Sequence, residues 1–580
     1  MREKNEEGMK EHRDMKLTGA KPKKARIDAF LRFLKSERFM IILLIAVALA
    51  VRLYKLSKET FWLDEAAWFR VAFQKSIPEL LNLAKAWSHP PLYFLAYKGW
   101  TQLFGIDQTQ LILLSLVSGV ISILLIYLIL KRLFKSKNLA FTGALLSSFS
   151  LFHIYYSREA TDISFFTMIL LFSVLTFLCL LQSRSRNKIK EIALHSISTA
   201  ALFYTHNYAF FIVLAQNITV FLFWKKHRSL LKQWLISQMI IVLLIMPQIM
   251  LVFNSAEAYS SGFDRIQNSE AYLINLGTHL KDILEKNTAI IKYPATQLGQ
   301  DDTFVKMISA AAGILFTIIL AFGMISSLLR IKCQIKKGQG KNRRKICWPK
   351  AELIKENLFS SVFLILMVLT PVLATAAFPS VYREKCFVFT ILIYNAFIAI
   401  GIWNLSRRKI VRAIIVGTII ILCLALILTH IRTDYFIGEH EDWKGVAEFV
   451  SLPEQKDELI VVDVKYTLIP FTYYHNRSRM GELFSGQYLP LDSQSERVIT
   501  VNNLLLINYS TDCFVGRCYA FDFERLNRSL ARIDRFWLIT SPHSRFVYMR
   551  NELLDMINQD FYNSSTHEFG SVQATEFRRK

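Results

Sequence analysis

The sequence predicts a polytopic α-helical membrane protein with about eleven transmembrane helices and a small C-terminal extracytoplasmic α/β domain. Three observations predict it. Hydrophobic residues fill 53% of 580 positions, and they gather in runs near the roughly 20 residues that cross a bilayer. The segments between the runs alternate in charge. From residue 431 onward the chain turns polar, and helix-like and strand-like stretches alternate.

The runs are 38–54, 109–130, 139–155, 162–181, 191–206, 208–224, 234–253, 303–329, 358–378, 386–404 and 411–430. The first follows a basic head and lacks a small-residue cleavage site, so it reads as an uncleaved signal-anchor. Seven Cys are too few for a disulfide framework. The mean hydropathy of +0.30 is high for a soluble chain of this length. The same composition excludes a disordered, collagenous or coiled-coil chain.

A formal charge of +24 would ordinarily suggest a nucleic-acid partner. Its placement gives another answer. With the N-terminus cytoplasmic, segments 1–38, 131–138, 182–191, 224–233, 330–357 and 404–412 face the cytoplasm and hold 38 basic against 10 acidic residues. That is +28, and the rest of the chain carries −4. The excess lies on one side, as the positive-inside rule requires. The basic tract RIKCQIKKGQGKNRRK is then topological, with anionic-lipid contact compatible, and no nucleic acid is expected. The chain divides into a cytoplasmic basic tail, 1–37, with some amphipathic helix near Ile27–Leu34, a transmembrane catalytic domain, 38–430, and the external domain, 431–580. Large external loops fall at 55–108 and 254–302.

In the tail, EDWKGVAEFVS, FERLNRSLARI and YMRNELLDMINQ read as helices, and DELIVVDV and DRFWLIT as strands. Cys513 and Cys518 lie there with four residues between them and are a disulfide candidate or two free thiols. Asn476, Asn508, Asn527 and Asn563 head Asn-X-Ser sequons.

Ionisable groups beside a membrane are costly, so the external loops hold the candidate site. In FWLDEAAW, Asp64 and Glu65 stand between apolar residues. They read either as an acid pair whose desolvation raises a carboxylate into the range of a base or as acids suited to a helix's first turn. Ser76 can cap an amphipathic interfacial helix with Pro78 and Glu79 in its first turn. That helix stops at His89-Pro90-Pro91, which fixes His89 near the membrane surface in the loop that holds Asp64. In YYSREATDISF, Arg158, Glu159 and Asp162 form a tight turn, either solvated with a local ion pair or holding an anionic head group. Tyr204 and His206, in YTHNYAFF, suit a site or an aromatic belt. Arg383 and Lys385, in VYREKCFVF, are cations on the non-basic side and look like an anion site unless Glu384 neutralises them. No P-loop, HExxH, GxSxG or CxxC occurs, so no nucleotide cofactor is expected.

Together these loops resemble the GT-C class of integral-membrane glycosyltransferases, in the branch of glycosyltransferase family 39, protein O-mannosyltransferases and lipid A aminoarabinose transferases. FWLDEAAW is similar to the acidic motif of that family's first external loop, and HPPLYFLAYKGWTQLFG to its HPPL-aromatic stretch. YYSREATDISFF resembles its Tyr-Ser-Gln-Glu-Ala-Arg-Met-Tyr pattern, YTHNYAFF its Tyr-Thr-His segment, VYREKCFVF its later Arg-Tyr element and DWKGVAEFV the helix opening its tail. The chain departs from the pattern with Arg158 in place of Gln and Thr161 in place of Arg.

The resemblance implies transfer of a sugar from a polyprenyl-phosphate-linked donor to a hydroxyl of a glycan, glycolipid or protein, in a bacterial or archaeal cell membrane. It implies Asp64 as general base, a single inverting displacement, and Arg158, Arg383 or Lys385 at the donor phosphate. Glu65 and Glu159 would orient the acceptor or hold a divalent cation, Mg²⁺ or Mn²⁺, with His89, Asp162, Tyr204 and His206 in support. The competing class is a polyprenyl-lipid or solute transporter, which would line a path with charges inside the spans. Arg52 and Lys306, near span ends, are the few such charges. An O-antigen ligase-like enzyme would move the key charge to a later loop.

Overall fold

The computed structural model describes residues 32–33, 36–56, 63–86, 89–183, 185, 187–263, 318–336, 346–353, 355–377, 384–405, 408–432, 441–452, 459–463, 468–475, 498–501, 504–507, 530–531, 533–541 and 547–580. The chain is mostly helical. In order, the helices are α1 (Glu37–Leu53), α2 (Leu63–Ala72), α3 (Ile77–Ala86), α4 (Leu92–Phe104), α5 (Gln108–Phe134), α6 (Lys137–Ser148), α7 (Leu151–Tyr156), α8 (Asp162–Gln182), α9 (Ile189–Phe203), α10 (Ala209–Leu222) and α11 (Leu231–Phe263). There follow α12 (Ile318–Leu328), the hairpin β1 (Leu329–Lys336) and β2 (Ile346–Leu353), α13 (Lys355–Ala377), α14 (Val388–Leu405) and α15 (Lys409–Arg432). The tail contains α16 (Trp443–Val450), β3 (Leu459–Asp463), α17 (Leu468–His475), β4 (Val498–Val501), β5 (Leu504–Ile507), β6 (Arg535–Thr540), α18 (Val547–Asp560), β7 (Phe561–Phe569) and β8 (Val572–Arg579).

Each of the eleven expected spans overlaps a helix. Among the described residues, Gln108–Phe134, Asp162–Gln182, Arg228–Met250 and Lys385–Leu405 are long and apolar enough to cross a bilayer, and the protein is an integral membrane protein. The expected span 139–155 is corrected: it breaks at Phe149–Ser150 into α6 and α7. A twelve-residue α6 rises only about 18 Å. Ser150 starts the second piece by accepting from His153 N–H at 3.4 Å. The first part of the basic tract, 330–336, lies in a strand, since β1 and β2 pair antiparallel from Leu329↔Leu353 to Lys336↔Ile346.

The bundle is held by apolar packing and by hydroxyl bonds between helices, a common device where lipid gives no hydrophobic drive. Ser173 meets Thr199 at 2.9 Å, Thr176 meets Ser198 at 2.7 Å, and Ser196 meets Ser237 at 3.0 Å. A Cβ on Gly323 of α12 would lie 1.9 Å from the Phe397 carbonyl of α14, so only glycine permits that approach.

The segments that the charge count separates also meet separately. Lys131 pairs with Glu37, Ser360 donates to the Leu133 carbonyl at 3.0 Å, Lys226 lies over the Phe359 ring and Arg412 over Trp403. These contacts gather the basic ends of the helices. α5, about 40 Å long at 1.5 Å per residue, runs from that end to the candidate site.

In the tail, six strands form one sheet in the order β4-β5-β3-β6-β8-β7. β3 pairs parallel with β5 and β6, and the remaining pairs are antiparallel. Central β6 is buried along RFWLIT after its first residue, as a strand covered on both faces requires. β7 and β8 were not foreseen. Edge strand β7 is largely polar and exposed, which blunts the edge. Its turn holds Gly570 at φ 60°. α18 covers the expected helix YMRNELLDMINQ, whereas most of FERLNRSLARI lies outside the described residues.

Candidate active site

The acid pair stands on a helix end. Asp64 and Glu65 occupy the first turn of α2, where exposed N–H groups favour carboxylates. Glu65 is only 2% exposed, and its Oε1 accepts from the Ala160 N–H at 2.6 Å. Ala160 belongs to the turn between α7 and α8, so one bond ties the 55–108 loop to that turn. Arg158, Glu159 and Asp162 in and beside that turn are buried, which removes the solvated-turn reading. Arg158 Nη1 donates to the Tyr54 carbonyl at 2.9 Å, just past the end of α1. Ser115 of α5 donates to the Thr161 carbonyl at 3.0 Å. Tyr93 of α4 shares this space: burial, then the charges of Asp162 and Glu65, raise its hydroxyl pKa well above the usual range.

A buried cation braces the turn from below. Arg52 of α1 is fully buried. Its Nε donates to Ser157 Oγ at 2.9 Å, Nη1 to the Ala48 and Ser148 carbonyls at 3.0 and 3.4 Å, and Nη2 lies 2.7 Å from His153 Nδ1. Ser148 ends α6, so the guanidinium satisfies a carbonyl left over by the helix break. Ser157 passes the support on by bonding to the His153 and Ile154 carbonyls.

The other candidate residues converge through aromatic rings. His89 packs edge-on against Trp68 of α2, centroids 4.6 Å apart. Lys385 Nζ sits 5.9 Å from the centroid of that Trp68 ring, within cation–π range. Lys385 lies in the short 3-10 turn Glu384–Phe387 before α14. Next to it, Cys386 Sγ is 3.4 Å from His206 Nε2. Tyr208 N–H donates to His206 Nδ1 at 3.1 Å, so the neutral ring keeps its proton on Nε2 and points it at the sulfur. His206 lies in the turn between α9 and α10, outside both helices. Burial, then the Lys385 charge, lowers its pKa to about 4. A ring so weakly basic orients groups rather than carrying protons at neutral pH. Tyr204 joins the same corner by its backbone: its carbonyl accepts from Leu92 N–H at 2.8 Å, and its hydroxyl donates to the Leu244 carbonyl at 3.0 Å.

The fold therefore gathers Glu65, His89, Arg158, Glu159, Asp162, Tyr204, His206 and Lys385 through four neighbouring loops. Asp64 has a place on the backbone beside Glu65. Arg383, Lys306, Cys513, Cys518 and the sequon residues Asn476, Asn508 and Asn527 lie outside the described residues. Sequence reasoning missed Trp68, Tyr93 and Cys386 as site neighbours, and only the isolated charge of Arg52 gave a signal.

Glu65 spends Oε1 on Ala160, and among the described residues no three His, Cys, Asp or Glu groups are placed to hold a metal ion.

Residues 88–251 match the family described as dolichyl-phosphate-mannose-protein mannosyltransferase. The match supports the GT-C class glycosyltransferase resemblance on the segment holding His89, Arg158, Glu159, Asp162, Tyr204 and His206. It covers under a third of the chain and leaves out the acid pair. No curated protein matches. Among solved structures, ArnT from Cupriavidus metallidurans bound to undecaprenyl phosphate is similar at 11% identity, over 93% of this chain and 98% of that one, with a TM-score of 0.45. Archaeal oligosaccharyltransferase AglB from Archaeoglobus fulgidus, in complex with an inhibitory peptide and a dolichol-phosphate, is similar at 11% identity, over 93% and 74%, with a TM-score of 0.44. The S. cerevisiae protein O-mannosyltransferase Pmt1-Pmt2 complex bound to the sugar donor is similar at 15% identity, over 42% and 35%, with a TM-score of 0.28.

Proposed function

We propose that this chain is a glycosyltransferase that moves a sugar from a polyprenyl-phosphate-linked donor to an acceptor hydroxyl at the external face of the membrane. The observation that carries the reading is the bond from Ala160 N–H to Glu65, which locks the acidic helix against the turn holding Arg158 and Glu159. Acid and cation chemistry thus meet beside the bundle, outside the α8 span, where a lipid head group would lie. The family match, whose description names a polyprenyl-phosphate mannose, supports the donor class.

In this reading Asp64 removes the proton of the acceptor hydroxyl as its oxygen attacks the anomeric carbon. The bond to the lipid phosphate breaks from the opposite face, and the configuration inverts. Polyprenyl phosphate leaves as an anion, so no strong acid is required. Arg158 and Lys385, with Arg383, balance its developing charge. Glu65 fixes the helix, and His206 and His89 shape the wall. The proposed topology is eleven crossings with the N-terminus in the cytoplasm, and 431–580 forms an external α/β domain that helps select the acceptor. The path-lining charges expected of a transporter are not what Arg52 offers, because its donors are taken by backbone and side-chain acceptors.

The test is Asp64→Asn in purified protein, assayed with labelled dolichyl- and undecaprenyl-phosphate sugars and product analysis. Transfer should fall about 10²- to 10⁴-fold, as loss of a general base costs, with membrane insertion unchanged. Undiminished transfer would remove Asp64 from its role, and no transfer by the unaltered protein with any sugar would favour transport.

A further inference from the structure

Tyr473 in the C-terminal tail reaches the acidic helix. Tyr473 of α17 is 1% exposed. Its ring meets Phe69 of α2 edge-on at 6.2 Å, and its hydroxyl donates to the Ile106 carbonyl at 2.6 Å. Phe69 stands four residues after Glu65, hence on the same face of α2 one turn along. Ile106 lies between α4 and α5. One tyrosine therefore spans the acidic helix and the segment that closes the first external loop.

α17 is itself held from behind. Ser451, at the end of α16, and His475 Nδ1 are 3.0 Å apart. Phe449 of α16 packs on Trp537 of β6 and on His567 and Phe569 of β7, with centroids 5.1, 4.6 and 5.3 Å away. Packing thus runs unbroken from the sheet through α16 and α17 to α2. A ten-residue helix such as α2 is too short to be stable alone, so its direction comes from tertiary contacts. They include Glu65 on Ala160, Trp68 against His89 and Lys385, and Phe69 against Tyr473.

We propose that Tyr473 is a positioning residue, and that α17 is a clamp through which the C-terminal sheet sets the orientation of the helix carrying Asp64 and Glu65. The activity arm of its test rests on the transferase reading, whereas the exchange arm rests on geometry alone. The tail is then part of the catalytic frame and not only a module for choosing acceptors.

The experiment uses the full chain in detergent, with Tyr473→Phe and Tyr473→Ala. Amide exchange is followed by mass spectrometry in peptides covering 63–72 and, as a reference, 108–134. Tyr473→Ala should speed exchange in 63–72 at least about tenfold and leave 108–134 unchanged, with Tyr473→Phe in between. With dolichyl-phosphate mannose as donor, kcat should fall by up to about 10²-fold in Tyr473→Ala, the scale of a small misplacement of catalytic groups. The donor KM should stay within about twofold, and Phe should restore most of the turnover. Unchanged exchange in 63–72 overturns the clamp. An exchange change without measurable transfer by the unaltered protein from any labelled dolichyl- or undecaprenyl-phosphate sugar keeps the clamp and rejects the transferase reading. If Tyr473→Ala does not fold, Phe69→Leu removes the ring contact from the helix side and is read in the same two ways.

Discussion

The bond between Glu65 and Ala160 can be broken without touching Asp64. Glu65→Ala removes the only acceptor shown for an N–H on a fully buried residue. An orphaned buried donor costs about 1–3 kcal/mol, which converts at about 1.4 kcal/mol per decade to roughly 5- to 150-fold in the docked fraction of the turn. Glu65→Gln keeps an oxygen in place and loses only the charge assistance. That difference is about 1 kcal/mol, or roughly fivefold. Exchange of amides in 157–162 measures the docked fraction directly, and turnover with a polyprenyl-phosphate sugar measures its consequence. The order should be Glu, Gln, Ala in both assays. Equal exchange in all three proteins would refute the idea that this bond joins the two loops. Turnover that falls equally in Gln and Ala would instead assign Glu65 a charge-dependent role in the reaction.

Two further outcomes follow from the same packing and electrostatics. Gly323→Ala should destabilise by about 1–3 kcal/mol or more, because its Cβ meets a backbone carbonyl that cannot yield; Gly99→Ala, with open space around it, is the control, and equal melting midpoints for the two would disprove the close crossing. His206 has a lowered pKa, so the folded protein binds fewer protons than the unfolded chain between pH 6.5 and about 4. Its contribution to stability is present above that window and lost as the pH falls through it, so melting of the wild type should decline more steeply than that of His206→Gln between pH 6.5 and 5, and parallel curves would contradict the burial of a neutral ring.

Much of this was legible in the chain, and for identifiable reasons. Long apolar runs with basic flanks can do little but cross a membrane, so α5, α8 and α14 stand where hydropathy put them. Ser76 and Glu79 bond reciprocally at the start of α3, at 3.3 and 3.4 Å, as a capping box written in the sequence. The break between α6 and α7 was hidden, because Phe149-Ser150 carries neither Gly nor Pro, and the carbonyl it leaves at Ser148 is met from another helix, by Arg52. The β7–β8 hairpin was hidden too, since polar edge strands lack a clear apolar alternation. Of the site, the ionisable residues were visible as costly exceptions near the membrane. Trp68 and Tyr93 were not, because among 44 Phe, 22 Tyr and 10 Trp an aromatic side chain is not distinctive until its neighbours are known.

The buried guanidinium also bears on how the protein is made. α1 emerges before α6 and α7 during synthesis, with Arg52 near the far end of an apolar run, and at that moment Ser148, His153 and Ser157 do not yet exist. A lone arginine in a span is expensive, so α1 can settle to its final depth only after the chain has grown about a hundred residues further. Three of the acceptors that stabilise Arg52 come from the broken helix and the turn after it. Arg52→Lys, with a point charge in place of a planar fork, would thus be expected to lower the yield of inserted protein before it lowers the activity of the molecules that do assemble.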